Sequence, residues 1–123
     1  RLNVHIGMSS EMLDNEKMEV WFDNPVDVSY VEIMEDQTDG QKILEWVLET
    51  RWPAYWCSKD KKDQWIPVAQ GNSIGHKRII SVNHLRGYAF RVRILRSYEG
   101  AVLKSLRVFG NKIPMVFHEH MNV

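Results

Sequence analysis

Tyr88, Phe90, Val92 and Ile94 alternate with Ala89, Arg91, Arg93 and Leu95, the most regular pattern in the chain. A period of two puts each set on one face of an extended segment, so this stretch is predicted as a strand with one buried face. The same period predicts strands over Lys17–Phe22 with Met18, Val20 and Phe22 inward, and over Ser29–Glu35 with Val31 and Ile33 inward. Ile43–Thr50 follows with Leu44, Trp46 and Leu48 inward, then Trp65–Gln70, His76–Val82, and Val102–Phe109 with Val102, Leu106 and Val108 on one face. Turn-forming residues separate the runs: Asp23-Asn24-Pro25, Asp39-Gly40, Gly71-Asn72-Ser73 and Glu99-Gly100. Turns at intervals of roughly 8–15 residues belong to sandwiches and barrels. Ser9–Lys17 has room for one helical turn but is too short and polar for a helix layer. The expected class is all-β, with residues 17–109 forming the sandwich, 1–16 an irregular N-terminal segment and 110–123 a C-terminal edge strand or tail.

Composition narrows the partners. The chain has 123 residues, the size of one ordinary domain. Sixteen Lys and Arg balance sixteen Asp and Glu, so the basic footprint used to hold nucleic acid or an anionic membrane is missing, and neither partner is expected. Cys57 is the only cysteine, which excludes an internal disulfide. No apolar run approaches the ~20 residues of a membrane-spanning helix. The start at Arg1 reads as a piece of a longer or processed protein.

Catalytic motifs are not found. His118, Glu119 and His120 place two histidines on one face of an extended segment, but the spacing indicates no third metal ligand. Glu32 and Glu45 are a pair that a glycosidase could use as acid and base, yet both fall in predicted sheet with no cleft. No nucleophile elbow, phosphate loop or dinucleotide fingerprint occurs.

Three segments in order carry a resemblance: VEIMEDQTDGQKILEWV (Val31–Val47), WIPVAQGNSIGHKRII (Trp65–Ile80) and AFRVRILRSYEGAVLKSLRVF (Ala89–Phe109). An acidic pair (Glu35-Asp36) leads to a Gly-Gln step (Gly40-Gln41), followed by Trp65, a Gly-x-x-Ile-Gly-x-Lys-Arg loop (Gly71–Arg78) and an Arg-rich strand with Arg91 and Arg93. Together they resemble the C-terminal accessory domain of α-L-fucosidases, a galactose-binding-like domain of the discoidin, or factor V/VIII type C, kind. The resemblance implies an antiparallel jelly-roll sandwich that is itself no enzyme. It implies a carbohydrate-binding or substrate-positioning module whose partners are galactose- or fucose-containing glycans and a parent catalytic domain, outside the cell or in a periplasm. A domain that only packs on a catalytic barrel, and a discoidin-like adhesion module, are the alternatives. Residues 1–16 lack the acidic turn and Trp with which such domains supply calcium ligands, so no cofactor is expected.

Sugars are recognised by an aromatic ring against the apolar face of a pyranose, with planar polar groups on its hydroxyls, usually on loops at a sandwich end. If strands alternate in direction, loops 36–42, 71–76 and 96–101 share one end, where Tyr98 stands among Asp36, Asp39, Gln41, His76 and Arg96. The resemblance favours this end for sugar. Loops 51–64 and 83–88 fall at the other, where Trp52, Tyr55 and Trp56 form an alternative interface with His84 and Arg86 across from them. The plainer readings are a polar loop cluster at the first end and rings capping the core at the second. Lys77, Arg78, Arg91 and Arg93 are expected to pair with Glu35, Asp36 or Glu45 across strands.

Overall fold

The computed structural model describes residues 4–52 and 64–113. The class is all-β. Six strands, β1 (Val4–Ser9), β2 (Lys17–Glu35), β3 (Ile43–Arg51), β4 (Ile66–Gly71), β5 (Arg78–Ser97) and β6 (Leu103–Lys112), pair antiparallel in the order β1-β6-β2-β5-β3-β4.

Two of these strands each join two of the predicted runs. Lys17–Phe22 and Ser29–Glu35 are one strand, β2, and Tyr88–Leu95 shares one strand, β5, with the predicted run His76–Val82 apart from His76 and Lys77, which precede it. The turn chemistry makes irregularities within the strands. From Trp21 to Val26, β2 advances five residues while β5 advances only two, from Ala89 to Gly87. The surplus contains Pro25, which has no N–H to offer a ladder. Further on, β5 advances four residues, Leu85 to Ser81, against two of β2, Val28 to Tyr30. Its surplus includes Asn83 and His84, both with left-handed φ, 53° and 65°. Loop 83–88 is therefore strand interior.

These bulges bend the β2–β5 ribbon, so its two halves serve two layers that face one another across one core. Met18 and Val20 of β2 stand opposite Val92 and Phe90 of β5, which in turn face Leu48 and Thr50 of β3. Val31 and Ile33 of β2 pair with Val108 and Leu106 of β6. All of these apolar side chains share one buried cluster with Val26, Val28, Ile43, Trp46, Ile74 and Leu103. Full burial of each large apolar side chain is worth about 1.5–3 kcal/mol, so this cluster is the main source of stability. A bulge at Ser29 explains the change of phase from even-numbered inward residues, Met18 to Val28, to odd-numbered ones, Val31 and Ile33.

Smaller expectations are corrected in the same way. Ile43 is fully buried and Leu44 only half-buried, because the β3–β5 register slips between Ile43 and Glu45. Leu103, not Val102, faces the core, since Val102 precedes β6. Part of the N-terminal segment expected to be irregular forms β1, which covers the edge of β6.

Candidate functional site

Three connections meet at one end of the sandwich, and a single buried carboxylate ties two of them together. Glu35, the last residue of β2, is 2% exposed. Its carboxylate accepts from the amides of Lys42 (2.6 Å) and Ile43 (3.0 Å) through Oε2, and from Gly75 (3.3 Å) through Oε1. Charged acceptors of this kind hold backbone donors about twice as strongly as neutral ones. The Asp36 amide adds a bond to Val102 O (2.9 Å), and the Tyr98 amide one to Lys42 O (2.9 Å). Loops 36–42, 72–77 and 98–102 are thereby fixed side by side, the grouping that strand alternation predicts. The role of Glu35 differs from the expected pairing with a cation.

The predicted sugar residues Asp36, Asp39, Gln41, His76, Arg96 and Tyr98 are all exposed. Asp36 and Asp39 line one small hollow of about 60 Å³ with Thr38 and Lys42. Asp36 also lines a second, of about 340 Å³, with His76, Gln37 and Lys104. The Asp36 carboxyl lies below its ordinary value because the Thr38 hydroxyl (2.6 Å) and amide (2.9 Å) both donate to it. Tyr98, 62% exposed, stands outside both hollows, as do Gln41 and Arg96. Arg96 is paired with Glu45 at 3.1 Å. The structure thus brings Asp36, Asp39 and His76 together and leaves the ring and the guanidinium beside them.

Glu45 also lines a hollow of about 620 Å³ with Gln70, Asn72, Ser73, Arg78 and Leu95. Trp46 forms its floor but is 1% exposed, so it offers no stacking face. Arg78 donates to Ser73 O (3.1 Å) and lies over the Trp46 ring at 5.7 Å. Gly71 lets the Trp46 ring lie against the β4 backbone, since a Cβ there would fall 2.6 Å from the ring.

The outer face of the layer built from β3, β4 and the outer halves of β2 and β5 carries charges and rings in rows. Arg91 Nε donates to Glu49 Oε1 (2.8 Å) and Arg93 Nη2 to Glu49 Oε2 (3.2 Å), while Arg91 also faces Glu19 at 3.8 Å. Burial pushes the Glu49 carboxyl up, but hydrogen bonds from Arg93 and Arg91 and their charges outweigh it and hold it below the ordinary value. Trp21 meets Trp65 edge-on (5.7 Å) and Tyr88 at a tilt (5.9 Å), and the Arg51 guanidinium lies 5.5 Å from both indoles. Lys77 pairs with Glu32 on the other layer, beside Arg107. Glu32 and Glu45 are therefore engaged with separate cations rather than with each other. Sequence reasoning missed Glu49 and this ring cluster, although Glu19, Arg91 and Glu49 sit at outward positions of strands it had identified.

At the opposite end, Trp52 shares a hollow of about 420 Å³ with Val82, Asn83, His84, Leu85 and Arg86. Tyr55 and Trp56, and His118 to His120, lie outside the described residues.

No family model and no curated protein sequence matches the chain. Solved structures share its fold. A Bacteroides thetaiotaomicron protein named as an α-L-fucosidase aligns with a TM-score of 0.67 at 19% identity, over 89% of this chain and 22% of its own. A glycoside hydrolase 29 family member from an unknown rumen bacterium gives 0.64 at 19% identity, over 86% and 19%. A Ruminococcus gnavus GH29 fucosidase in complex with fucose gives 0.56 at 17% identity, over 78% and 17%. The chain spans about a fifth of each of these proteins. At such identities the likeness is one of fold.

Proposed function

We propose that the chain is a non-catalytic accessory module of a fucosidase-like glycoside hydrolase, one that holds a galactose- or fucose-containing glycan for a neighbouring catalytic domain. The observation that carries this reading is the asymmetry of the alignments: 78–89% of this chain matches, but only 17–22% of the fucosidase chains. Tyr98 is the proposed platform, on the end fixed by Glu35, with Asp36, Asp39, Gln41, His76 and Arg96 as the hydroxyl partners. An extracellular or periplasmic location belongs to the same proposal. Titration calorimetry against galactose- and fucose-containing oligosaccharides tests it. Weak binding is expected, because an open site gains little over water for each hydroxyl bond. No heat with any of the sugars would overturn it.

A second reading, a domain that packs on its catalytic partner without binding sugar, is favoured by the Trp21, Trp65 and Tyr88 cluster. Trp21 is 51% exposed, and Trp, Tyr and Arg are the residues that dominate protein interfaces. Self-association of the chain that Trp21→Ser relieves would support it, and a monodisperse wild type would count against it.

A further inference from the structure

We propose that the hollow beside the Asn83–His84 bulge binds a single neutral pyranose ring, at the end of the sandwich opposite Tyr98. The proposal rests on the accessory-module reading only for its choice of sugars. In a regular strand successive side chains leave on opposite faces, so one hollow meets every second residue. Here five consecutive residues, Val82 to Arg86, line the same hollow, because left-handed φ values at Asn83 and His84 turn the backbone there. Strained non-glycine conformations of this kind persist where the surrounding structure enforces them, and they gather at ligand clamps.

The hollow has the two parts a pyranose needs. Trp52, Val82 and Leu85 supply an apolar wall, and Asn83, His84 and Arg86 supply planar hydrogen-bonding groups. His84 Nδ1 stands 3.5 Å from Asp27 Oδ1, and Arg86 Nε 3.9 Å from Asp27 Oδ2. Asp27 Oδ1 is nevertheless buried with no hydrogen-bond partner. Asp27 does not line the hollow and acts from beside it, holding Arg86 in place, while a sugar hydroxyl in the hollow can accept from Arg86 and bond the side-chain amide of Asn83. Asp27 offsets the charge of Arg86, which suits a neutral sugar better than an acidic one.

The test is an amide chemical-shift titration of the 123-residue chain with L-fucose and with methyl β-D-galactopyranoside. The expected result is saturable shifts at Asn83 to Arg86 and at the Trp52 indole for at least one of the two. Arg86→Ala is expected to weaken that binding at least about fivefold. His84→Gly separates binding from folding: glycine takes the left-handed φ freely, so this variant should melt higher and yet bind at least about fivefold more weakly. Unchanged affinity in either variant overturns the proposal. Shifts confined to the loops around Tyr98 overturn it and leave the accessory reading standing. Shifts with neither sugar remove both.

Discussion

Glu35 and Gly75 bond each other in both directions: the Glu35 amide donates to Gly75 O at 3.2 Å, and the Gly75 amide donates to Glu35 Oε1 at 3.3 Å. One residue thus ends β2 and anchors the β4–β5 connection, while its second oxygen holds the start of β3. Glu35→Ala leaves the carboxylate-bound amides of Lys42, Ile43 and Gly75 without an acceptor in a place largely closed to water. The expected loss is about 2–4 kcal/mol of stability, the cost of orphaned buried donors. Glu35→Gln keeps an acceptor and should lose less. Urea unfolding of the two variants checks the order.

Glu49 gives the sandwich a dependence on pH. Its folded-state pKa is lowered, so its contribution is fully present above the ordinary glutamate value of 4.5 and is lost as the pH falls through the lower folded value. Melting temperature should therefore fall with acidification below about pH 4.5. In Glu49→Gln, which cannot ionise, that part of the fall should disappear. A fall of equal depth in the variant would assign it to other carboxylates.

The strand positions were legible in the sequence because most rest on one buried face, as Phe90 and Val92 show. The connections were less so. Asp23-Asn24-Pro25 carries the same chemistry whether the chain reverses or bulges, and only the partner strand decides which occurs. β1 had the period-two signal in Val4, Ile6 and Met8, but an edge strand buries little, and Val4 and Met8 remain about half exposed. Alternation of strand direction brought the Tyr98 end together correctly. It could not show that Asp36, Asp39 and His76 would share hollows while Tyr98 and Arg96 stood aside, because side-chain direction on loops has no period. Asn83 and His84 carried only a faint signal, as residue types that take left-handed φ more often than most.

Two glycines separate steric from conformational cost. At Gly110 a Cβ would collide with the carbonyl oxygen of Asp27 and lie 2.8 Å from the Val28 Cα, both backbone of the neighbouring β2. Gly110→Ala must push β6 away from β2, and a loss of about 3 kcal/mol or more is expected, as for severe overpacking. At Gly40 nothing lies within 4 Å of a built Cβ, so only its φ of 94° opposes a side chain. Gly40→Ala should cost about 1 kcal/mol. Denaturation midpoints of the two variants measure the difference.

Tyr98 is the sharpest test of the proposed glycan platform, because its replacement separates recognition from folding. The side chain is 62% exposed, and the hydrogen bond that fixes the residue runs from its main-chain amide to Lys42 O, so alanine keeps it. Tyr98→Ala should melt within about 0.5 kcal/mol of wild type, as exposed substitutions do. Losing the stacking face should still weaken a bound hexose roughly tenfold, about 1.4 kcal/mol. Arg96→Ala provides the comparison, since its pair with Glu45 is exposed on both sides and adds little to stability. If Arg96 bonds a hydroxyl beside the ring, this variant should also melt normally and bind more weakly. Normal binding by both variants, measured by calorimetry against the sugar that wild type binds, would place recognition away from this end of the sandwich.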